Sequence, residues 1–131
     1  MAVTRTGLVY GVGALRAAAR GDRRLWALHR AALAHGIVPV VPAGVVAEGF
    51  RTEARGDRLD DLLGGSEIEL LSAEGARRMG ELAARAQTTD LAAVSVAEAA
   101  ARRNGAVIAA RQQSLRAAAD LLGHELVLYA V

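Results

Sequence analysis

The chain has 131 residues, the size of one compact domain that builds its core without disulfides or structural metals, and it contains no cysteine, which excludes disulfides and thiolate metal sites. Its 16 basic residues are all arginine and face 14 acids, a net charge of +2 that is not by itself a nucleic-acid signature, so the placement of the arginines has to decide. Hydrophobic residues make up 53% of the chain but aromatics only 3%, which leaves Ala, Val and Leu to build the core and implies closely packed helices. No apolar run approaches the roughly 18 residues of a membrane span, and "MAVTRTGLVYGVGAL" is too short and weakly apolar for a signal peptide; the expectation is a soluble cytoplasmic protein.

The first strand is predicted in "TGLVYGV", bounded by Gly7 and Gly11 and running into the helix "ALRAAAR". Gly21 breaks that helix, and Asp22 is placed to cap a second, "RRLWALHRAALAHG", in which Leu25, Leu28, Ala32 and Leu33 share a face and Gly36 supplies the stop. Strand "IVPVV" follows, then Pro42 in the first turn of the helix "AGVVAEGFRTEAR", a short "RLDDLL" and the strand "EIELL". Ser72 is placed to cap "AEGARRMGELAARA", and Thr88-Thr89-Asp90 to cap "LAAVSVAEAAARR". Strand "AVIAA", helix "SLRAAADLLG" and strand "ELVLYAV" close the chain. Strands alternating with helices over residues 1–131 predict one α/β domain, a three-layer α/β/α sandwich with a mostly parallel central sheet.

Few motifs carry chemistry. "GVGALR" has G-x-G after a strand, but Arg16 stands where a dinucleotide fingerprint needs its third glycine, and a tight strand-to-helix turn accounts for Gly11 and Gly13. His29, His35 and His124 lack ligand spacing, and Ser95 has no nucleophile elbow around it. Glu48 interrupts the apolar "AGVVA" early in one helix and Asp90 opens another; both suit a helix start as surface or capping residues, and both suit a site at the sheet edge. "VIAARQQSL" places Arg111 directly after a strand, where many α/β sites carry an acid.

In "TGLVYGVGAL", "VPAGVVAEGFR", "ELAARAQTTDLAAVSVAEAAARRNGAVIAARQQSLRAAA" and the closing strand the chain resembles PIN domains, the metal-dependent nuclease fold that includes VapC-type toxin ribonucleases. The resemblance covers nearly the whole length. It implies four acids at the carboxyl edge of the sheet that hold Mg²⁺ or Mn²⁺ and activate water for phosphodiester cleavage. On that pattern Glu48 matches the second acid and Asp90 an auxiliary one, while Gly11, Ala93 and Arg111 stand at the first, third and fourth positions. Two remnant acids beside a fixed cation make a poor cage for a hard divalent ion. No catalytic residue, no metal site and no cofactor is therefore expected, with Mg²⁺ or Mn²⁺ relevant only to residual nuclease activity.

A groove of this kind still suits a phosphate backbone, because arginine offers a planar fork of donors to phosphate oxygens. Arg16, Arg20, Arg23 and Arg24 along the first helical hairpin, with Arg111 and Arg116, are the predicted contacts; pairing with Asp22, Glu98 and Asp120 is the alternative for such arginines. Nothing in the pattern reads base sequence. The resemblance further implies a homodimer or a small antitoxin-like protein partner; Leu25, Trp26 and Leu28 suit either an apolar contact for it or the domain's own core. The function expected is a catalytically inactive PIN-like domain that binds DNA or RNA backbone. A weak VapC-like endoribonuclease using Glu48 and Asp90, helped by Glu98, and a protein-interaction module are the alternatives.

Overall fold

The computed structural model describes residues 7–53, 56–103, 106–108, 121–122 and 128–129. In chain order the elements are β1 (Leu8–Tyr10), α1 (Val12–Ala19), α2 (Arg23–Ala34), β2 (Val40–Pro42), α3 (Ala43–Thr52), α4 (Asp57–Gly64), β3 (Glu67–Glu69), α5 (Ala73–Arg85), α6 (Leu91–Arg103), β4 (Ala106–Ile108) and β5 (Leu128–Tyr129). The predicted helix "SLRAAADLLG" and the residues Arg111, Arg116, Asp120 and His124 lie outside the described residues, apart from that helix's Leu121 and Leu122.

The five strands form one sheet in the order β3-β2-β1-β4-β5, and every pairing is parallel. Parallel neighbours need crossovers, and right-handed crossovers put α1 to α4 on one face and the returning α5 and α6 on the other, which is the expected three-layer α/β/α arrangement. Because β1 to β3 step in one direction and the chain then returns past β1 to β4, the order reverses beside β1, the place where open α/β sheets form a crevice at their carboxyl ends.

The core follows from the composition. Val9, Tyr10, Leu15, Leu25, Val41, Val45, Leu59, Leu62, Val94 and Val96 are its largest fully buried side chains, and Ala14, Ala17, Ala18, Ala97, Ala99 and Ala100 fill the rest. Each buried Val or Leu contributes about 1.5–3 kcal/mol, while alanines let the helices approach closely. Helices α1 and α3 approach closely where a Cβ added to Gly49 would sit 2.7 Å from Leu15 Cδ2. Gly21, at φ +72, makes the left-handed turn between α1 and α2 that an L side chain disfavours.

Local capping agrees with the sequence. Asp22 Oδ1 accepts from the Leu25 N–H at 2.9 Å, Ser72 Oγ from the Gly75 N–H at 3.0 Å, and Asp90 Oδ1 from the Ala93 N–H at 3.1 Å. Boundaries differ where proline and exposure intervene. Pro42 is the last residue of β2 and the N-cap of α3 rather than a residue of its first turn, and "EIELL" keeps strand geometry only to Glu69, with Leu70 and Leu71 beyond it. Among the described residues no helix is long and apolar enough to cross a membrane.

One polar pair is built into the core. The Tyr10 hydroxyl and His29 Nδ1 lie 2.8 Å apart, and the Trp26 indole meets the imidazole edge-on at 5.8 Å. Burial pushes the Tyr10 phenol up, while burial and then the Arg30 charge push His29 below its ordinary value of 6.5, so both groups stay neutral. The unfolded chain therefore binds the His29 proton more tightly than the folded chain. This contribution to stability is complete above pH 6.5 and is lost as the pH falls below it toward the folded-state value. The melting temperature should drop between pH 7.5 and 5.5, and His29→Gln, which cannot titrate, should flatten that drop; an unchanged pH dependence in the variant contradicts the assignment.

Candidate functional site

At the carboxyl edge β1 ends on Tyr10, and Gly11 caps α1. Gly11 is buried in extended geometry (φ −95, ψ −178), and its carbonyl accepts from the Ala14 and Leu15 N–H groups at 3.1 and 3.3 Å. A glycine here adds no side-chain oxygen to the edge. Glu48 lies in the second turn of α3, beside the Gly49 that packs on Leu15, and its carboxylate accepts from Arg51 one turn on: Nε to Oε2 at 3.0 Å, with a second bond from Nη2 to Oε1. That bonding raises the Arg51 guanidinium further above its ordinary value. The Asp90 carboxylate is engaged by the Ala93 N–H, and the Asp90 N–H donates to Thr88 Oγ1 at 3.1 Å. Ala93 is half-buried against the core.

Mg²⁺ and Mn²⁺ take about six oxygen donors with concentrated negative charge. Glu48 and Asp90 are each already committed to a local partner, Gly11 and Ala93 supply no side-chain oxygen, and among the described residues no three of His, Cys, Asp and Glu converge on a point. The donor set of the described residues does not fit such an ion. Glu98, eight residues or about 12 Å along α6 from Asp90, belongs to a different cluster.

That cluster ties the far end of α6 to the edge strand β3. Arg102 donates to Glu98 through Nε at 2.7 Å and through Nη2 at 2.8 Å, and also bonds Glu69; Arg103 donates to Glu69 from Nε at 3.0 Å and Nη2 at 2.7 Å; Arg78 reaches Glu98 at 3.6 Å. Burial alone would push the Glu69 carboxyl up, but the two arginines outweigh it and hold the group below the usual carboxylate range. A cleft of ≈ 240 Å³ opens beside them at the carboxyl ends of β2 and β3, walled by Pro42, Leu70, Leu71 and Met79 and by the charged Arg78 and Glu98. The sequence reading offered Glu98 as a partner for arginines, as Arg102 and Arg78 show it to be, but missed Glu69. The cluster's local signals were the E-x-E spacing, which puts Glu67 and Glu69 on one face of a strand, and the four-residue spacing of Glu98 and Arg102.

The remaining arginines divide sharply. Among the described residues Arg51, Arg77, Arg78, Arg102 and Arg103 have carboxylate partners, and Arg58 donates to the Ala19 carbonyl at 3.1 Å. Arg16, Arg20, Arg23, Arg24, Arg30 and Arg85 have none, and five of these six lie on α1, α2 and the turn between them. Asp22, the one acid in that hairpin, is used as a cap. Arg16 is half-buried on α1; Arg20, Arg23 and Arg24 lie at the end of α1 remote from Gly11, exposed, with Arg30 two turns along α2 from Arg23. Of the two roles offered for the apolar residues of this hairpin, core and contact surface, the core takes them: Leu25 is fully buried, Leu28 and Trp26 pack on the core, and the Trp26 Nε1–H donates to the Ala18 carbonyl at 3.1 Å.

No family model matches the chain, and no curated protein matches it. A solved structure does: a chain of VapBC2 from Rickettsia felis, bound to a DNA fragment from their promoter, superposes with a TM-score of 0.65 at 19% identity, over 94% of this chain and 97% of that one. The fold is PIN-like.

The arginine–glutamate tie is testable on stability. Arg102→Met keeps the aliphatic stem but removes the two closest bonds to the partly buried Glu98 and one of the two guanidiniums on Glu69, so it should destabilise the chain by about 1–3 kcal/mol. Arg77→Met, at an exposed i,i+4 pair, should stay within about 0.5 kcal/mol. Equal effects of the two in urea unfolding would contradict the ranking.

Proposed function

We propose that this chain is a catalytically silent PIN-like domain that binds the phosphate backbone of DNA or RNA, as a homodimer in the cytoplasm. The observation that carries this reading is the concentration of arginines without carboxylate partners on the α1–α2 hairpin, five of them against one capped aspartate. A guanidinium with no acid partner is free to exchange water for phosphate, whereas Arg77, Arg78, Arg102 and Arg103 would first have to break ion pairs. Arg23 and Arg30, seven residues apart on one helix, are separated by about 10 Å, enough to follow roughly three phosphates of one strand. The resemblance in fold to a chain from a complex solved with promoter DNA supports the same class of ligand.

Silence rests on the carboxyl edge. With Gly11 and Ala93 in place of acids, and Glu48 and Asp90 committed locally, no described set of oxygens is arranged to activate water through a metal. Arg111 and Arg116 enter on sequence position alone, as cations that follow β4 in the chain; Arg111→Ala should weaken binding by about 1–3 kcal/mol. An antitoxin-like protein partner is the competing occupant of this surface.

The experiment is the salt dependence of affinity for a duplex and a single-stranded oligonucleotide, followed by fluorescence anisotropy. Each phosphate contact contributes about −0.9 to the slope of log K against log salt on duplex DNA, so Arg23→Ala, Arg24→Ala and Arg30→Ala together should make the slope shallower by about 2 to 3. The three sites are exposed, and the fold should survive their loss. Salt-sensitive binding with an unaltered slope in the triple variant removes the hairpin from the surface; absence of binding by the wild-type chain rejects the function.

A further inference from the structure

Edge strands present unpaired backbone groups and are usually guarded by charge, proline or a covering element. In the sheet order β3 is an edge, and its register with β2 (Val40↔Glu67, Val41↔Ile68, Pro42↔Glu69) fixes which groups point where. The Glu67 N–H donates to the Pro39 carbonyl at 2.8 Å, so the backbone groups of Glu67 and Glu69 face β2 and those of Ile68 face away from it. Among the described residues neither the N–H nor the C=O of Ile68 has a hydrogen-bond partner. Ile68 is 41% exposed and Leu70, directly beyond the strand, is 84% exposed, the highest value among the exposed large hydrophobic residues.

We infer that β3 is the dimer seam: two copies of this chain pair their β3 strands antiparallel about a two-fold axis through Ile68, joining the two sheets into one. A residue that offers one outward donor and one outward acceptor is complementary to itself after a two-fold rotation, so Ile68 of each copy gives and receives one bond. The next outward groups are the Leu70 N–H and the carbonyl of Ser66, whose own N–H is already donated to Leu63 at 3.0 Å; each Leu70 then donates to Ser66 of the other copy. Ile68 and Leu70 share a face of the strand, so the Ile68 pair meets on the axis with each Leu70 diagonal to the Ile68 of the other copy.

Charge does not bar a second copy. The pairing sets Glu67 of one copy opposite Glu69 of the other, a repulsive contact for bare carboxylates. Here Arg103 spans Glu69 and Glu67 at 2.7 and 4.0 Å, and Arg102 bonds Glu69 as well, so each edge arrives with two guanidiniums against its two carboxylates. The charges that would guard this edge are neutralised from within the same chain. The seam draws on the proposed function only for the presence of two copies and is independent of nucleic-acid binding.

The test combines mass by light scattering with crosslinking. Wild-type chain should elute at twice its 13.6 kDa, and Ile68→Pro and Leu70→Glu each at 13.6 kDa. Proline at 68 removes only a donor that β2 does not use, and the exposed Leu70 can change without touching the core. The chain has no cysteine, and residues in a hydrogen-bonded antiparallel pair have Cα atoms about 5.5 Å apart, within reach of a disulfide, so Ile68→Cys should form a covalent dimer on oxidation while Leu91→Cys, exposed on α6, should not. A wild-type dimer that persists in both variants and fails to crosslink at 68 overturns the seam and leaves the homodimer standing on another surface. A wild-type chain that stays monomeric overturns both. Retained salt-sensitive oligonucleotide binding in Ile68→Pro keeps the outcome separate from the nucleic-acid reading.

Discussion

The all-parallel ladder is the constraint on which the rest depends. Every strand delivers the chain to the same edge, so the residues that follow β1 and β2 open onto it whatever their chemistry. Close helix contacts make that convergence specific: α3 touches both α1 and α6, and Gly49 lets it settle on Leu15. A frame this determined by small-residue packing does not need its edge to be acidic. It accepts Gly11 and Ala93, both of which serve the fold, one as the start of α1 and the other as part of the packed wall.

The placement of charge is the second organising feature. A net charge of +2 conceals two populations of arginine. Arg77, Arg78, Arg102 and Arg103 on α5 and α6 pair with glutamates, and the last two lash the edge strand to the return helix, while those on the α1–α2 hairpin have no carboxylate partner among the described residues. Only the second population can exchange its solvation for a ligand's phosphates without breaking an ion pair, which is why the hairpin, rather than the carboxyl edge alone, carries the functional reading. The arginines of the first population neutralise an edge that glutamates would otherwise guard.

What was legible in the sequence was local. Asp22, Ser72 and Asp90 announced their helices because capping is decided within three residues, and the strand–helix alternation carried the layer arrangement. The Glu69 tie was not legible, because its partners lie 33 and 34 residues away and only the sheet brings them together. Leu25 and Trp26 looked like a surface on an otherwise polar hairpin; amphipathic spacing marks an apolar face without saying whether the molecule's own core or a partner covers it, and here the core does. At the candidate site, the bond from Arg51 to Glu48 followed from a three-residue spacing open to inspection, whereas Arg111 and Arg116 remain sequence assignments outside the described residues.

The most direct measurement places binding and cleavage in one tube: an end-labelled oligonucleotide is titrated with the protein in the presence of Mn²⁺, its anisotropy is read, and the same sample is then run on a denaturing gel. A protein that grips phosphate without activating water raises the anisotropy and leaves the label at full length, with the same result when EDTA replaces the metal. Shortened product that appears with Mn²⁺ and vanishes with EDTA, and that is lost in Glu48→Gln, would contradict it.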